Sequence, residues 1–173
     1  MNKFTLPLLI LITLLIVFTI FGNTFASNLI HGLVHFPEEY VGKILTMEDG
    51  KKFTALRRLQ VERENSATDG LAVFKVRFKF NSLSLGINKH LSMIPAPFLV
   101  GMEGFREKYW TFDNHTGYFQ GIYQWESEEY AAKYPQSFIF KLMVKRSAEG
   151  TLAYEVIPNT ILSDYIKKLA LQH

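Results

Sequence analysis

Cysteine is absent from the 173 residues, which excludes disulfides, thiolate metal sites, iron–sulfur clusters and a cysteine nucleophile. It does not fix the compartment, because exported and cytosolic chains both manage without it. A surplus of one charge is missing too: 19 Lys and Arg against 16 Asp and Glu leave a net +3. A dedicated nucleic-acid binder would show a clustered basic stripe, and none stands out. A phosphate loop, a dinucleotide fingerprint, a Ser–His–acid set and a paired-carboxylate site are also lacking. Glu126, Glu128 and Glu129 read as the start of a helix, not as an acid/base pair. Apolar material is plentiful, at 48% of residues with 15 Phe, 8 Tyr and 2 Trp. That is enough for a packed core and excludes wholesale disorder. The length allows one domain of about 100–150 residues plus an appendage.

The appendage comes first. Phe4 to Phe21 carries no charge, and at about 1.5 Å per residue it would span about 27 Å, close to the roughly 30 Å of a hydrocarbon core. Two readings are open: an uncleaved transmembrane helix over 1–22, or a signal peptide cut after Thr24-Phe25-Ala26. The length favours the anchor. Lys3 precedes the run, and no Lys or Arg lies between Phe21 and Lys43. The positive-inside bias therefore predicts a single-pass membrane protein, N-terminus cytoplasmic and domain on the non-cytoplasmic side, or a secreted one if 1–26 is removed. Residues 23–41, with Gly, Asn, Ser, His and Pro, read as a tether. His31 and His35, with Glu38 and Glu39 behind them, lack the third ligand and the helix that zinc requires, so no metal is expected.

From residue 42 the texture changes. Asp49-Gly50 between β-compatible runs predicts a hairpin over 42–63, with both central turn residues at positive φ. Residues 71–158 then read as strand, helix, strand, strand, helix, strand. Ala72, Phe74, Val76 and Phe78 alternate with Lys75 and Arg77, the period of a half-buried strand. Leu83, Ile87, His90, Leu91 and Ile94 form a helical stripe that Pro95 and Pro97 stop. Gly104–Asp113 and Tyr118–Glu126 are strands joined by a tight turn. Ser127 opens a helix that Pro135 interrupts, with Phe138, Ile139, Leu142 and Met143 as its apolar stripe. Thr151–Ile157 is the last strand, and Asn159-Thr160 caps a helix over 159–171 carrying Ile161, Leu162, Tyr165, Ile166 and Leu169 inward. The order is that of a ferredoxin-like βαββαβ fold of the α+β class, with both helices on one face of an antiparallel sheet. The other face is then bare. With aromatics on the strands, such a face predicts a homodimer that stacks two sheets.

The segments Gly104-Phe105-Arg106-Glu107-Lys108-Tyr109-Trp110 and Gly121-Ile122-Tyr123-Gln124-Trp125, with Ser127-Glu128 and Ser137-Phe138, resemble the YdhR-like monooxygenase family. That family belongs to the dimeric α/β-barrel superfamily, alongside the antibiotic-biosynthesis monooxygenases. The resemblance spans Leu71 to Ile157, about half of the chain. It implies a homodimer with a cavity between sheet and helices, and an oxidoreductase that oxygenates an aromatic or polyketide-like molecule without a dedicated cofactor. The apolar N-terminus and the hairpin depart from a minimal member, and the Asn–Trp–His set of haem-degrading relatives has no counterpart around His90.

Candidate residues follow, each beside a plainer reading. Arg106 and Lys108, expected on one strand face with Trp110 and Phe112, would stabilise an enolate or phenolate next to a stacking ring; as rim charges they would merely cover aromatics with their stems. Tyr123 and Tyr154 would donate hydrogen bonds into a pocket, or simply fill the core. His90 would be a general base, or a boundary histidine of its helix. Trp110 and Trp125 would line the substrate site. The leading expectation is a membrane-anchored protein that binds, and oxygenates, a small hydrophobic or aromatic molecule, with Lys108, Tyr123 and His90 catalytic and Arg106, Trp110, Trp125 and Tyr154 in contact with substrate. The alternative is a non-catalytic ligand-binding or dimerisation module.

Overall fold

In the computed structural model, which describes residues 19–20, 22–63 and 69–171, the strands are β1 (Val34–His35), β2 (Ile44–Thr46), β3 (Lys52–Val61), β4 (Ala72–Phe78), β5 (Phe105–Phe112), β6 (Phe119–Trp125) and β7 (Ala153–Ile157). The helices are α1 (Leu85–Leu91), α2 (Ala96–Val100), α3 (Glu128–Lys133), α4 (Phe138–Arg146) and α5 (Leu162–Ala170), with a 3-10 turn over Tyr134–Gln136. The strands form one antiparallel sheet in the order β1-β3-β5-β6-β4-β7, with β2 also paired to β3. Its inner part, β5-β6-β4-β7 with α1 and α2 after β4 and α3 and α4 after β6, is the expected ferredoxin-like βαββαβ arrangement. The hairpin widens the sheet, because β3 pairs with β5 along most of its length.

Local chemistry sets the helix ends. Ser84, Ser127 and Ser137 each accept a hydrogen bond from the backbone three residues on, satisfying an amide that the helix leaves unpaired. Pro135 lacks the N–H an interior position needs, so the chain tightens into the 3-10 turn before α4 restarts. At the β2–β3 turn only Gly50 has positive φ, +77°. Met47 N donates to Lys51 O and Gly50 N to Met47 O, a longer loop than the two-residue turn expected, and Asp49 is spared the left-handed region.

Two layers cover the sheet. One face carries Phe74, Val76, Phe78, Trp110, Tyr123 and Trp125 under α2, α3 and α4. The other carries Val73, Tyr109 and Ile122 under α5, β2 and the turn that follows β2, whose Leu162, Tyr165, Ile166, Leu169, Leu45 and Met47 are buried against it. Gln124 docks the start of α5: its Oε1 accepts from Leu162 N at 2.5 Å and its Nε2 donates to Thr160 O at 3.1 Å. The expectation of a bare sheet face is therefore corrected. The chain covers that face with its own C-terminal helix and hairpin, and the reasoning from an open face to a stacked homodimer falls with it.

The N-terminal region differs from expectation as well. Among the described residues no helix is long and apolar enough to cross a membrane. This corrects the expected transmembrane helix at 1–22 and the single-pass localisation derived from it. The apolar run behind that expectation, 4–21, lies outside the described residues apart from Thr19 and Ile20. The described helical residues 22–30 include the polar Asn23, Thr24, Ser27 and Asn28. The segment read as a tether is attached to the sheet. Val34 is buried and paired with Val61, and Arg58 Nη1 reaches Glu39 Oε2 at 2.9 Å.

The helical stripes expected to face inward are partly turned out. On α1, Asn88 is buried and Ile87 is exposed, as are Leu83 and Ile94 on either side of the helix. Asn88 Nδ2 donates to the Ser82 and Leu83 carbonyls and its Oδ1 accepts from Arg146, so a polar anchor holds that helix. On α4, Ile139 and Phe140 are buried while Phe138 and Leu142 are exposed.

Candidate functional site

Antiparallel register brings the site together. Lys108 on β5 lies opposite Tyr123 on β6, and Trp110 lies opposite Gly121. Gly121 has no side chain, and the Tyr123 ring occupies the space: a Cβ there would sit 2.6 Å from Tyr123 Cε2. The glycine is thus required by a close approach. Above these residues, Leu91, Ser92 and Pro95 on one side and Ile139, Leu142, Met143 and Arg146 of α4 on the other enclose a cavity of about 70 Å³. Tyr134, Phe78 and Phe119 complete much of the apolar wall. The volume is roughly half that of an apolar cavity of ~150 Å³ known to admit benzene. A small molecule or fragment fits, and a larger one needs the exposed Leu142 side of the mouth to open.

Two hydrogen bonds fix the wall. Trp110 Nε1 donates to Ser92 O at 2.9 Å, and the Tyr134 hydroxyl donates to the Tyr123 hydroxyl at 3.3 Å. Lys108 is 5% exposed, with its Nζ 4.2 Å from the Trp110 ring centre and 4.5 Å from that of Tyr123. No carboxylate or hydrogen-bond acceptor among the described residues meets it. Two effects compete. The ring faces favour the ammonium by about 0.5–2 kcal/mol each, while burial of an unpaired ion costs several kcal/mol. Burial wins and holds the lysine well below its ordinary range, so the amine is disposed to be neutral with its lone pair available. Burial also pushes Tyr123 up, helped by the neighbouring Tyr134, and burial pushes Tyr134 up. Both phenols stay protonated. Arg146, half-buried at the rim, donates to Asn88 Oδ1 at 3.1 Å and lies 4.7 Å from the Phe80 ring centre.

The cavity therefore gathers Lys108, Trp110 and Tyr123, three of the seven candidates named from the sequence. The other four lie elsewhere. Arg106 is the extra residue at a register shift between Phe105 and Glu107. It leaves the Lys108 face and meets Glu126 at 3.1 Å, which corrects the shared face expected for Arg106 and Lys108. Trp125 is buried behind the cavity against Phe105 and Tyr134. Tyr154 is half exposed on β7 and stacks on Phe74 at 5.4 Å. His90 is exposed on α1 and does not line the cavity. His31 Nδ1 donates to Ser27 O and His35 Nε2 lies 3.0 Å from Glu62. No cluster of three His, Asp or Glu residues suited to a metal occurs among the described residues. Sequence reading missed Tyr134, Gly121 and Arg146. Tyr134 precedes a proline that seemed only to break a helix, and the close approach at Gly121 is a tertiary fact.

No protein-family model matches the chain, and no curated protein matches it. Among solved structures, the chain is similar to a ferredoxin fold protein related to antibiotic biosynthesis monooxygenases from Listeria monocytogenes, at 12% identity over 75% of this chain and 93% of that one, TM-score 0.49. It is similar to a monooxygenase-like protein from Listeria innocua at 12% identity, 74% and 92% coverage and TM-score 0.49. An anthrone oxidase-like protein gives 17% identity, 64% and 55% coverage and TM-score 0.44. These likenesses concern backbone arrangement, and the narrower YdhR-like assignment rests on the sequence resemblance alone.

Proposed function

We propose that the chain is a monooxygenase-like protein that binds a small hydrophobic or aromatic molecule in the cavity between the sheet and α1 and α4. The observation that carries this reading is the unpaired amine of the buried Lys108 side chain, set over the faces of Trp110 and Tyr123 on the cavity wall. A stacking indole, an apolar wall and one basic nitrogen suit a hydroxylated aromatic: the ring packs against Trp110 and its acidic proton faces Lys108 Nζ. Removal of that proton by a neutral amine is general-base chemistry. The resulting anion is electron-rich enough to reduce dioxygen itself, so no dedicated cofactor is called for. In the keto tautomer of such a phenol the ring presents a CH₂. In the balanced form this CH₂ and O₂ give a ring carbonyl and water, the carbon losing four electrons and the dioxygen accepting them. The test is oxygen uptake by the full chain with a series of hydroxylated aromatics and quinols, alongside quenching of tryptophan fluorescence on binding. Saturable uptake that Lys108→Met reduces at least tenfold, and that His90→Ala leaves unchanged, supports the reading. Uptake indifferent to Lys108 refutes the assignment. Saturable quenching with no uptake restricts the protein to ligand binding.

A further inference from the structure

We infer that Lys108 is a carbonyl-capturing residue, forming an imine with small aldehydes that enter the sheet–helix cavity. The inference rests on the cavity reading above but not on oxygen chemistry. Three features of the geometry carry it. The Lys108 side chain is 95% buried by the difference from its 5% exposure, yet it lines an open volume of about 70 Å³, a size suited to a short aldehyde. Its Nζ faces two aromatic rings and no carboxylate, so nothing ties the nitrogen to an acid partner as a surface lysine's would be tied or hydrated. Finally, the ring that Nζ overlies, its centre 4.5 Å away, carries a phenol on the same cavity wall. The Tyr123 hydroxyl accepts from Tyr134, which leaves the Tyr123 hydrogen free to be donated, and the raised pKa of both phenols keeps them protonated.

The step needs no external oxidant or reductant. The Nζ lone pair adds to the carbonyl carbon, the C=O π bond opens, and a proton passes from nitrogen to oxygen to give a carbinolamine. Its hydroxyl leaves as water, taking one proton from Tyr123 while the nitrogen returns one. A C=N bond replaces the C=O bond, and the phenol is restored. Desolvation of a lysine in an apolar pocket is a recognised means of activating it for this chemistry. The Tyr134–Tyr123 pair supplies the acid that the dehydration needs.

The experiment incubates the full chain with limiting propanal and cyanoborohydride, which reduces imines to stable amines, and maps the modified lysines by peptide mass spectrometry. A surface lysine near pKa 10.4 is free amine to less than about 0.1% at pH 7. Lys108 is therefore expected to be modified at least about tenfold faster than any other lysine at pH 7. Its rate is expected to rise less steeply between pH 7 and pH 9 than that of the surface lysines, which rise about a hundredfold. Tyr123→Phe slows Lys108 labelling without changing its pH profile, and Lys108→Met removes the fast site. Labelling of Lys108 no faster than its neighbours, or rising with pH as theirs does, overturns the inference. Phenol binding followed by tryptophan quenching separates the two readings. If quenching persists while Lys108 stays unlabelled, only the imine proposal falls. If both are absent, the cavity reading falls as well.

Discussion

Replacing Lys108 by methionine should make the protein more stable, an unusual direction for a core substitution. Lys108 buries its side chain and carries an amine that no acceptor or acid among the described residues satisfies, its nitrogen keeping some access at the cavity. Leaving such a group unpaired costs about 1–3 kcal/mol on the scale of protein mutational data. Methionine is similar in length and unbranched, and its sulfur contacts rings favourably by about 0.3–1.5 kcal/mol. It thus keeps the packing on Trp110 and Tyr123 while removing the polar penalty. The net expectation is a gain of about 1–3 kcal/mol at pH 7, or about 2–12 °C in Tm for a chain of this size. The pH dependence gives a second handle. The folded-state pKa is depressed below the unfolded value, so between the two the unfolded chain holds a proton that the folded chain does not. As pH rises toward about 10.4 the unfolded lysine releases that proton, the wild type recovers stability and the advantage of the variant narrows. Urea unfolding followed by tryptophan fluorescence at pH 7 and pH 10 measures both effects. A variant less stable than wild type by more than about 1 kcal/mol, or a difference that grows with pH, would refute the claim that the amine is buried at a cost.

Three further expectations use the same kind of measurement. Gly121→Ala places a Cβ against the Tyr123 ring and should destabilise by about 1–3 kcal/mol through overpacking, with loss of phenol binding as Tyr123 is pushed into the cavity. Ile166→Asp puts a charge at a fully buried position of α5, undocking that helix from Val73, Tyr109 and Ile122. The variant should self-associate in sedimentation velocity at concentrations where the wild type does not do so through this face. Asp49 is held well below the usual carboxylate range, chiefly by its hydrogen bond from Arg77 against a smaller opposing effect of burial. Its depressed folded pKa adds stability that is fully present above the unfolded value near 3.9 and is lost as pH falls below it. Asp49 is substantially exposed, so Asp49→Asn should cost less than about 1 kcal/mol at pH 7. The cost should shrink in urea titrations as the pH is lowered from 5 to 2.

What the sequence made legible was what repeats or caps. Period two in Ala72–Phe78, Ser127 ahead of its helix, and a terminal stripe of Leu162, Tyr165, Ile166 and Leu169 all form as local rules dictate. The cap expected at Asn159-Thr160 does not: α5 starts from an exposed Ile161 with no side-chain cap. The destination of that last stripe was not legible. An amphipathic helix announces that it will be buried, but not against which surface, and α5 takes the sheet face that a ferredoxin-like unit leaves bare. The expected dimer arose from counting the βαββαβ unit alone, while the covering elements lay outside it at both ends of the chain. The outward turn of Ile87 has a similar source. Apolar spacing pointed Ile87 inward, but Asn88 takes the buried side, where three hydrogen-bonding partners replace the water that burial removes.

The candidate site divides along the same line. Lys108, Trp110 and Tyr123 were recoverable because strict alternation places 108 and 110 on one face and 123 opposite. Arg106 follows the same arithmetic and fails, because one extra residue at a bulge reverses the parity of everything before it. Nothing in Phe105-Arg106-Glu107 marks the bulge in advance, yet it gives the cavity its character. Had Arg106 stayed in register beside Lys108, a permanent guanidinium two residues away would have joined the amine on the wall, adding like-charge repulsion to burial and drawing in water or a carboxylate. With Arg106 turned to Glu126 and Glu107 turned to Arg58 on the opposite face, β5 carries one basic group into an otherwise apolar space. The chemistry proposed for Lys108 therefore depends on a backbone irregularity two residues away, and a change that removed the bulge would alter the site without touching any residue that lines it.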